Sequence, residues 1–318
     1  MTTLLVSTLI TLSANNWISM WIGLEINMMS FIPLILSKIN KSSSEAAMIY
    51  FLTQSISSML MMMMILIMMC KYLMPNLMIS SIIMISLFIK LGAAPFHMWM
   101  PKIMSNMEWM KCSILMTWQK IAPLFMISNL DNKVILYIAI ILSVTIGSIG
   151  GLNQTSLRKM MAYSSINHLG WLMAINKSMN LWMMYLTIYG MMIVSMCYLF
   201  NKYKFNFINQ MSSINMNTTD KFSLFLLMLS MGGLPPFIGF LPKWLTIQSL
   251  INEQEILIML IMIMFSLVTL MYYLRVMTNM YLSFNSSIKW SLNYYNYSTI
   301  TIIMINLSLP LMVIMDIM

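Results

Sequence analysis

Long stretches without any charged residue dominate this sequence. Five such runs, at 1–24, 46–70, 134–157, 178–201 and 290–315, are each long enough to cross the hydrocarbon core of a bilayer as a helix. Charged residues make up only 8% of the 318 residues, against roughly 25% in a typical soluble domain. So few charges cannot cover a water-facing surface, and the sequence therefore predicts a membrane protein.

The polarity pattern of these runs selects the type of membrane fold. Helices and closed barrels are the structures that pair every backbone group inside lipid, and the runs lack the alternating polarity of barrel strands. We therefore predict an all-α polytopic fold with about eleven transmembrane helices. Their approximate bounds are 1–13, 16–36, 46–69, 77–100, 111–129, 134–153, 157–175, 179–200, 222–249, 256–282 and 298–316. The first is short, so we expect it either to thin the bilayer locally or to lean on neighbouring helices.

The basic residues of the predicted loops collect on one side of the membrane. If the spans alternate in direction, ten basic residues fall on one side and three on the other. The crowded side carries Lys38, Lys41, Lys102, Lys111, Arg158, Lys159, Lys202, Lys204, Lys221 and Lys289, and the opposite side carries Lys71, Lys133 and Lys177 with Asp131, Glu253 and Glu255. The positive-inside bias makes the crowded side the interior, with the N-terminus inside and the C-terminus outside.

Four charged residues lie within predicted spans rather than at their ends: Glu25, Lys90, Lys120 and Lys243. Each costs about 2.5–3.5 kcal/mol at a helix centre. One glutamate cannot neutralise three lysines, so structural ion pairing accounts for only part of the set. Burial disfavours a charged lysine and a nearby carboxylate favours it, so such groups can exchange protons near neutral pH, as a proton relay requires. Arg275, late in its span, is expected to reach the inner surface instead.

Two segments that contain Pro and Gly interrupt predicted helices, at about 90–102 and 232–244. Backbone groups freed at membrane depth are tolerated only inside protein or beside water. The segments also match each other, since Pro95, Phe96, Trp99, Pro101 and Lys102 recur as Pro236, Phe237, Phe240, Pro242 and Lys243. Broken helices at corresponding places of two repeats are typical of a transport site.

The two copies lie five spans apart, so the second must be inverted in the membrane. We therefore predict one inverted five-helix repeat at 1–130, a second at 131–283, and a loop with a C-terminal helix at 284–318. The alignment pairs Lys243 with Lys102. Lys90 precedes the first break in a stretch uncharged from 72 to 89, however, so we expect Lys90 and Lys243 to be buried and Lys102 to be partly exposed.

Histidine and cysteine residues offer less specific signals. His168 lies beside Ser164, Ser165 and Asn167, and could either shuttle protons or pack through a hydrogen bond, while His97 is expected to satisfy backbone freed at the first break. The three cysteines have no paired spacing, so no disulfide, metal site or redox centre is expected; they are Cys70, Cys112 and Cys197. No charge precedes Glu25, so no cleavable leader is expected.

Six motifs resemble, in order, those of the antiporter-like proton-pumping membrane subunits of respiratory complex I. They are WIGLEINMMSFIPL, YFLTQS, KLGAAPFHMWMPK, LMTWQKIAPL, GGLNQTSLRKMMAYSSINHLGW and GGLPPFIGFLPKW, and the likeness runs from about residue 16 to 283. The resemblance implies that Glu25 serves the proton inlet, Lys90 and Lys243 the two broken helices, and Lys120 the central axis. Lys102 stands where we expect relatives often to carry an acid.

The resemblance also implies a function. Such a subunit moves protons from the matrix to the intermembrane space of mitochondria, driven by electron transfer in other subunits. It would hold no cofactor or metal itself, since NAD, FMN, iron–sulfur clusters and ubiquinone belong to other subunits. Its expected partners are other complex I membrane subunits, including neighbouring antiporter-like ones, and membrane lipids, with no nucleic acid. The 45 methionines fit an organellar gene, and hence an inner-membrane location.

Two rival functions remain open from the sequence. A sodium/proton antiporter subunit would share this fold, but sodium requires several oxygen ligands and the spans offer one carboxylate among three lysines. A scaffold that only packs other subunits and lipids would need the same apolar surface. The scaffold predicts that neutralising Lys120 harms assembly as much as pumping.

Overall fold

A computed structural model describes residues 1–37, 40–70, 75–213, 216–281 and 297–309. Every regular element within these ranges is helical, apart from an isolated antiparallel bridge between Ser156 and Phe207. The helices are α1 (Thr2–Ser13), α2 (Trp17–Ile35), α3 (Lys41–Met69), α4 (Asn76–Leu91), α5 (Trp99–Asn106), α6 (Trp109–Met116), α7 (Trp118–Ser128), α8 (Lys133–Leu152), α9 (Leu157–Ala174), α10 (Met179–Tyr203), α11 (Gln210–Ser213), α12 (Thr218–Gly232), α13 (Phe240–Asn252), α14 (Ile256–Tyr281) and α15 (Tyr297–Asn306). The loop residues Lys38, Lys71 and Lys289, and the last part of the predicted C-terminal span at 310–316, lie outside the described residues.

Within the described ranges, five helices are long and apolar enough to cross a membrane, judged by length and composition: α2, α3, α8, α10 and α14. The all-α prediction is therefore confirmed for the described ranges. Helices also occupy the other predicted spans, but the fourth, fifth and ninth are each divided into two shorter helices. The total of eleven transmembrane helices and the inverted repeat stay predictions.

The short first helix leans on its neighbour. Helix α1 has 12 residues, about 18 Å at 1.5 Å per residue, and packs along α2. Gly23 permits this approach, because a Cβ atom at that position would lie 2.4 Å from Cγ2 of Thr11. Close packing of two backbones at a small residue is the usual way in which helices associate inside membranes.

Helix α9 lies at the centre of the molecule. Fourteen of its 18 residues are buried, and it contacts α5, α6, α8, α10 and α13. Gly147 of α8 allows the two backbones to approach closely, since a Cβ atom there would lie 2.6 Å from the backbone nitrogen of Asn167. The polar residues that the sequence places on α9 therefore face protein rather than lipid.

Both predicted helix breaks are present. Helix α4 ends at Gly92, whose φ of 71° is left-handed, and α5 begins at Trp99. Helix α12 has Gly232 as its last residue and is capped in the same way by Gly233, with φ 80°, and α13 begins at Phe240. Glycine adopts this conformation without the steric cost that a Cβ atom imposes, which explains why both helices end at a glycine.

Arg275 binds backbone at one end of α8. Its guanidinium donates hydrogen bonds of 2.5 Å to the carbonyl oxygens of Leu152 and Gln154. These carbonyls lie at the C-terminal end of α8, where backbone oxygens lack partners within the helix. Arg275 therefore joins α14 to the end of α8 through a fork of two hydrogen bonds.

Candidate functional site

The carbonyl groups freed at the first break are bound by side chains from neighbouring segments. Trp99 donates its Nε1–H to the carbonyl of Ile89 at 3.0 Å, and Gln54 donates its Nε2–H to the carbonyl of Lys90 at 3.2 Å. The His97 ring nitrogen Nδ1 lies 3.2 Å from the carbonyl of Pro95, so His97 binds freed backbone as expected. The end of α4 is thus closed by Trp99 and Gln54, which leaves the Lys90 side chain available for other contacts.

At the second break, a lysine rather than a tryptophan donates a hydrogen bond to a carbonyl group near the end of the helix. The Lys243 ammonium donates a hydrogen bond of 2.8 Å to the carbonyl of Gly232, the last residue of α12. It also lies 5.8 Å from the ring centre of Trp171 on α9. A cation at a helix C-terminus is favoured by the partial negative charge of the exposed carbonyls. Gly233 leaves the space, since a Cβ atom there would lie 2.6 Å from Nζ of Lys243.

Glu25 and Lys90 form an ion pair between α2 and α4. The Lys90 ammonium lies 3.9 Å from Oε1 of Glu25, and Lys90 is only 7% exposed. Lys102, the residue that the repeat aligns with Lys243, is exposed, whereas Lys243 is 5% exposed. The expected burial of Lys90 and Lys243 and the exposure of Lys102 are therefore confirmed.

A small cavity of about 20 Å³ joins Lys90 to Lys120. Its polar wall includes Asn27, Gln54 and Gln119. The Gln119 amide donates to Oδ1 of Asn27 at 3.1 Å, and the Tyr50 hydroxyl donates to Oε1 of Gln119 at 3.3 Å. One buried water requires about 10–15 Å³, so the space can hold a water molecule between the two lysines.

Lys120 is fully enclosed by protein at 2% exposed. Its ammonium donates hydrogen bonds to the carbonyl of Ser165 at 3.1 Å and to the hydroxyl of Tyr189 at 3.4 Å. The helix that carries it is interrupted immediately before, at Thr117, and contains Pro123, which cannot donate a backbone hydrogen bond to residue 119. Irregular backbone on both sides of Lys120 allows its side chain to reach α9 and α10.

His168 also lies beside Tyr189. Its Nδ1 is 2.8 Å from the Tyr185 hydroxyl, and its ring centre is 4.8 Å from that of Tyr189. His168 is 4% exposed, so this contact excludes lipid and bulk solvent. The same geometry serves either alternative left open by the sequence, a structural hydrogen bond or a proton shuttle.

The structure brings the sequence-predicted residues into three contacts along one buried row. Glu25 pairs with Lys90, Lys120 and His168 share Tyr189, and Lys243 lies against Trp171, three residues along α9 from His168. Each member is ionisable, amide groups line the cavity between Lys90 and Lys120, and the Tyr189 side chain lies between Lys120 and His168, so the row has the chemistry to bind and pass protons. We call these five residues, Glu25, Lys90, Lys120, His168 and Lys243, the charged row.

Sequence reasoning missed the neutral residues between the charged ones. Asn27, Gln54 and Gln119 all stand inside the motifs that carry the family resemblance, each near a site residue in sequence or in space. A polar amide within an apolar helix is the signal that could have identified them. Tyr185 and Tyr189 carry no such signal, because tyrosine is common in apolar spans.

Comparison with known proteins places this chain in a family. Residues 14–270 match the model of the family described as NADH:quinone oxidoreductase/Mrp antiporter, TM. NADH-ubiquinone oxidoreductase chain 2 of Anopheles gambiae is 44% identical over 296 residues, covering 91% of this chain and 87% of the relative. The same-named protein of Aedes aegypti is also 44% identical, over 95% of this chain and 91% of the relative.

Solved structures show the same fold. A chain of respiratory complex I from Thermus thermophilus with bound Aureothin matches with a TM-score of 0.83 at 18% identity, over 95% of this chain and 74% of that one. Together with the apolar helices and the family match, this likeness defines a multi-pass membrane protein. The chain belongs to the NADH:quinone oxidoreductase/Mrp antiporter membrane family, within which it is similar to the NADH-ubiquinone oxidoreductase chain 2 proteins.

Proposed function

We propose that this chain is a membrane subunit of respiratory complex I that carries protons across the mitochondrial inner membrane through the charged row. The observation that carries the proposal is the enclosure of three lysines and a histidine within the protein, next to one partly buried glutamate, in a family of proton-linked membrane subunits. A charged side chain at membrane depth carries a large free-energy cost, and such residues usually mark an ion or proton pathway. NADH oxidation and ubiquinone reduction belong to other subunits, which hold the redox cofactors.

The steps of transfer follow from the contacts. Glu25 takes up a proton and passes it to Lys90, the cavity lined by Asn27 and Gln119 connects Lys90 with Lys120, and Tyr189 connects Lys120 with His168. Moving one charge through a potential of 100 mV costs about 2.3 kcal/mol. Electron transfer elsewhere in the complex must therefore supply energy through moving charges or helices that alter these contacts.

The proposed orientation places the N-terminus in the matrix and the C-terminus in the intermembrane space. Its support is the charge asymmetry of the loops, in which most lysines and arginines fall on the matrix side. We propose two inverted repeats, 1–130 and 131–283, followed by a loop and a C-terminal transmembrane helix at 284–318. The matched left-handed glycines at Gly92 and Gly233 support corresponding breaks in the two halves. The proposed partners are the other complex I membrane subunits and lipids.

A sodium/proton antiporter is the second candidate, because the family also includes antiporter subunits. Sodium prefers several oxygen ligands. Within the described ranges no group of three or more His, Cys, Asp or Glu side chains is close enough to hold a metal ion. Glu25 is the one carboxylate of the charged row, and its neighbour is a lysine, so the row favours protons over sodium.

The proposal is tested by measuring the proton-to-electron ratio of the assembled complex that carries Lys120→Ala. We expect NADH oxidation to continue while fewer protons are pumped per electron, because the link between Lys90 and His168 is removed. Lys41→Ala, an exposed lysine at the start of α3, is the matched control and should leave the ratio unchanged. Loss of assembly in step with loss of pumping would instead indicate a scaffold, and a ratio that depends on sodium would indicate the antiporter.

A further inference from the structure

Two buried asparagines lie at the end of the molecule opposite the basic loops, and their side chains lack partners. Asn176 is 1% exposed, and neither its Oδ1 nor its Nδ2 has a hydrogen-bond partner among the described residues. Asn132 is 8% exposed, and its Nδ2 is also unpaired within them. Buried amide groups are nearly always hydrogen-bonded, to protein or to ordered water. These three atoms therefore indicate a bound molecule.

Both asparagines line one cavity. Its wall is formed by the loop between α7 and α8, the end of α9 and Glu253, and its volume is about 20 Å³. That volume exceeds the roughly 10–15 Å³ that one buried water requires. Asn176 offers one acceptor and one donor and Asn132 offers a donor, which together match the two to four hydrogen bonds that a buried water makes.

The chemistry of the wall fits water better than a cation. The unpaired atoms are one oxygen and two nitrogens, whereas a metal cation needs several oxygen ligands. The charged residues of the wall balance each other and are exposed: Asp131, Glu253, Lys133 and Lys177. A neutral molecule that both donates and accepts hydrogen bonds satisfies this set.

Unpaired polar groups continue from this cavity toward the charged row. Nε1 of Trp171, 1% exposed, has no hydrogen-bond partner among the described residues, and its ring lies beside the Lys243 ammonium. Asn176 follows Trp171 by five residues and lies just beyond Ala174, the last residue of α9. Along the chain, the end of α9 therefore leads from the tryptophan beside Lys243 to the cavity.

On the basis of the proposed function, we infer that Asn132 and Asn176 bind an ordered water molecule that forms the proton outlet of this chain on the outer side. The Lys243 ammonium releases a proton through this water to bulk solvent and becomes a neutral amine. A proton from the inner part of the row then restores the ammonium. Asn132 and Asn176 are positioning residues, since they hold the water and do not themselves exchange the proton.

A density map of the unmodified, assembled complex, at a resolution that resolves water, tests the binding site. We expect a peak within hydrogen-bonding distance of Asn176 and of Nδ2 of Asn132. An empty cavity, or one filled by a side chain of another subunit, would overturn the inference. So would a peak with the short oxygen contacts of a coordinated cation.

The outlet role is tested by pumping in three variants of the assembled complex. Asn176→Leu should remove the water and lower the proton-to-electron ratio as far as Lys120→Ala does. Asn176→Ser, which keeps a hydroxyl and the space, should retain most of the pumping. Asn129→Leu alters an exposed asparagine in the same loop, outside the cavity wall, and should change nothing.

These measurements distinguish failure of the proposed outlet from failure of the proposed function on which it depends. If Lys120→Ala lowers the ratio and Asn176→Leu does not, the outlet is wrong and the proposed function stands. If Lys120→Ala leaves the ratio unchanged, the proposed function fails and the outlet fails with it. If Asn176→Leu does not assemble, the presence or absence of the water peak in the unmodified complex still decides the matter.

Discussion

Lys90 and Lys243 are used differently although each adjoins a broken helix. Lys243 donates to the carbonyl of Gly232, whereas at the end of α4 the carbonyls of Ile89 and Lys90 accept hydrogen bonds from Trp99 and Gln54. Because its helix end is already capped, Lys90 is free to pair with Glu25. In the second half, Lys243 itself binds the freed backbone. In the first half, Trp99 and Gln54 bind it, and Lys90 is left as the charge that is proposed to exchange protons.

Because Lys90 pairs with Glu25, we expect proton transfer through the first half to depend on Glu25. In Glu25→Gln we expect the assembled complex to pump fewer protons per electron, because Lys90 loses the carboxylate that stabilises its charged form. The measurement is acidification in reconstituted vesicles at a matched rate of NADH oxidation. Glu45→Gln, an exposed glutamate of α3, is the control. Normal pumping in Glu25→Gln would exclude the ion pair as the inlet.

At the scale of helices, the sequence predicted the two breaks and missed a third. Pro and Gly at membrane depth identified the ends of α4 and α12, because these residues have strong local backbone effects. The interruption at Thr117 between α6 and α7 has neither residue at that point. It depends on packing between helices distant in sequence, and so does the choice of Tyr189 as the partner of Lys120. Sequence patterns on one helix contain no information about which neighbour it meets.

Packing of α8 on α9 sets the position of the central part of the charged row. Gly147→Ala should destabilise the protein by about 1–3 kcal/mol, because the added methyl group meets backbone of α9 that cannot rotate away. The measurement is the thermal unfolding and yield of the assembled complex. Gly190→Ala in α10, where the methyl group would be 3.6 Å from Thr117, should have little effect. Equal stability of the two variants would show that α8 and α9 can move apart to accommodate the methyl group at little cost in free energy.

At the scale of the whole molecule, the proposed role of the row depends on the proposed orientation. That orientation puts the basic loops on the inner side and Asp131, Glu253 and the two buried asparagines on the outer side. The proposed direction of proton movement follows from this orientation, since Glu25 is proposed to take up the proton from inside and the water held by Asn176 to release it outside. A reversed orientation would reverse these roles.

Cysteine labelling tests the orientation. The native thiols Cys112 and Cys197 are buried and Cys70 is exposed, so Cys70→Ser provides a low background. Lys204 and Glu253 are both exposed, and the proposed arrangement puts them on opposite sides of the membrane. A membrane-impermeant maleimide should then label Lys204→Cys only from the matrix side and Glu253→Cys only from the intermembrane side. Labelling of both from the same side would refute the eleven-helix arrangement.

The most direct test of the account compares the two lysines at the first break. Burial selects Lys90 for the proton path, whereas the internal repeat aligns Lys102 with Lys243. The measurement is the proton-to-electron ratio of assembled complexes with Lys90→Met and with Lys102→Met, reconstituted in the same vesicles. The account predicts a lowered ratio for Lys90→Met and an unchanged ratio for Lys102→Met. A normal ratio in Lys90→Met with a lowered ratio in Lys102→Met would contradict it.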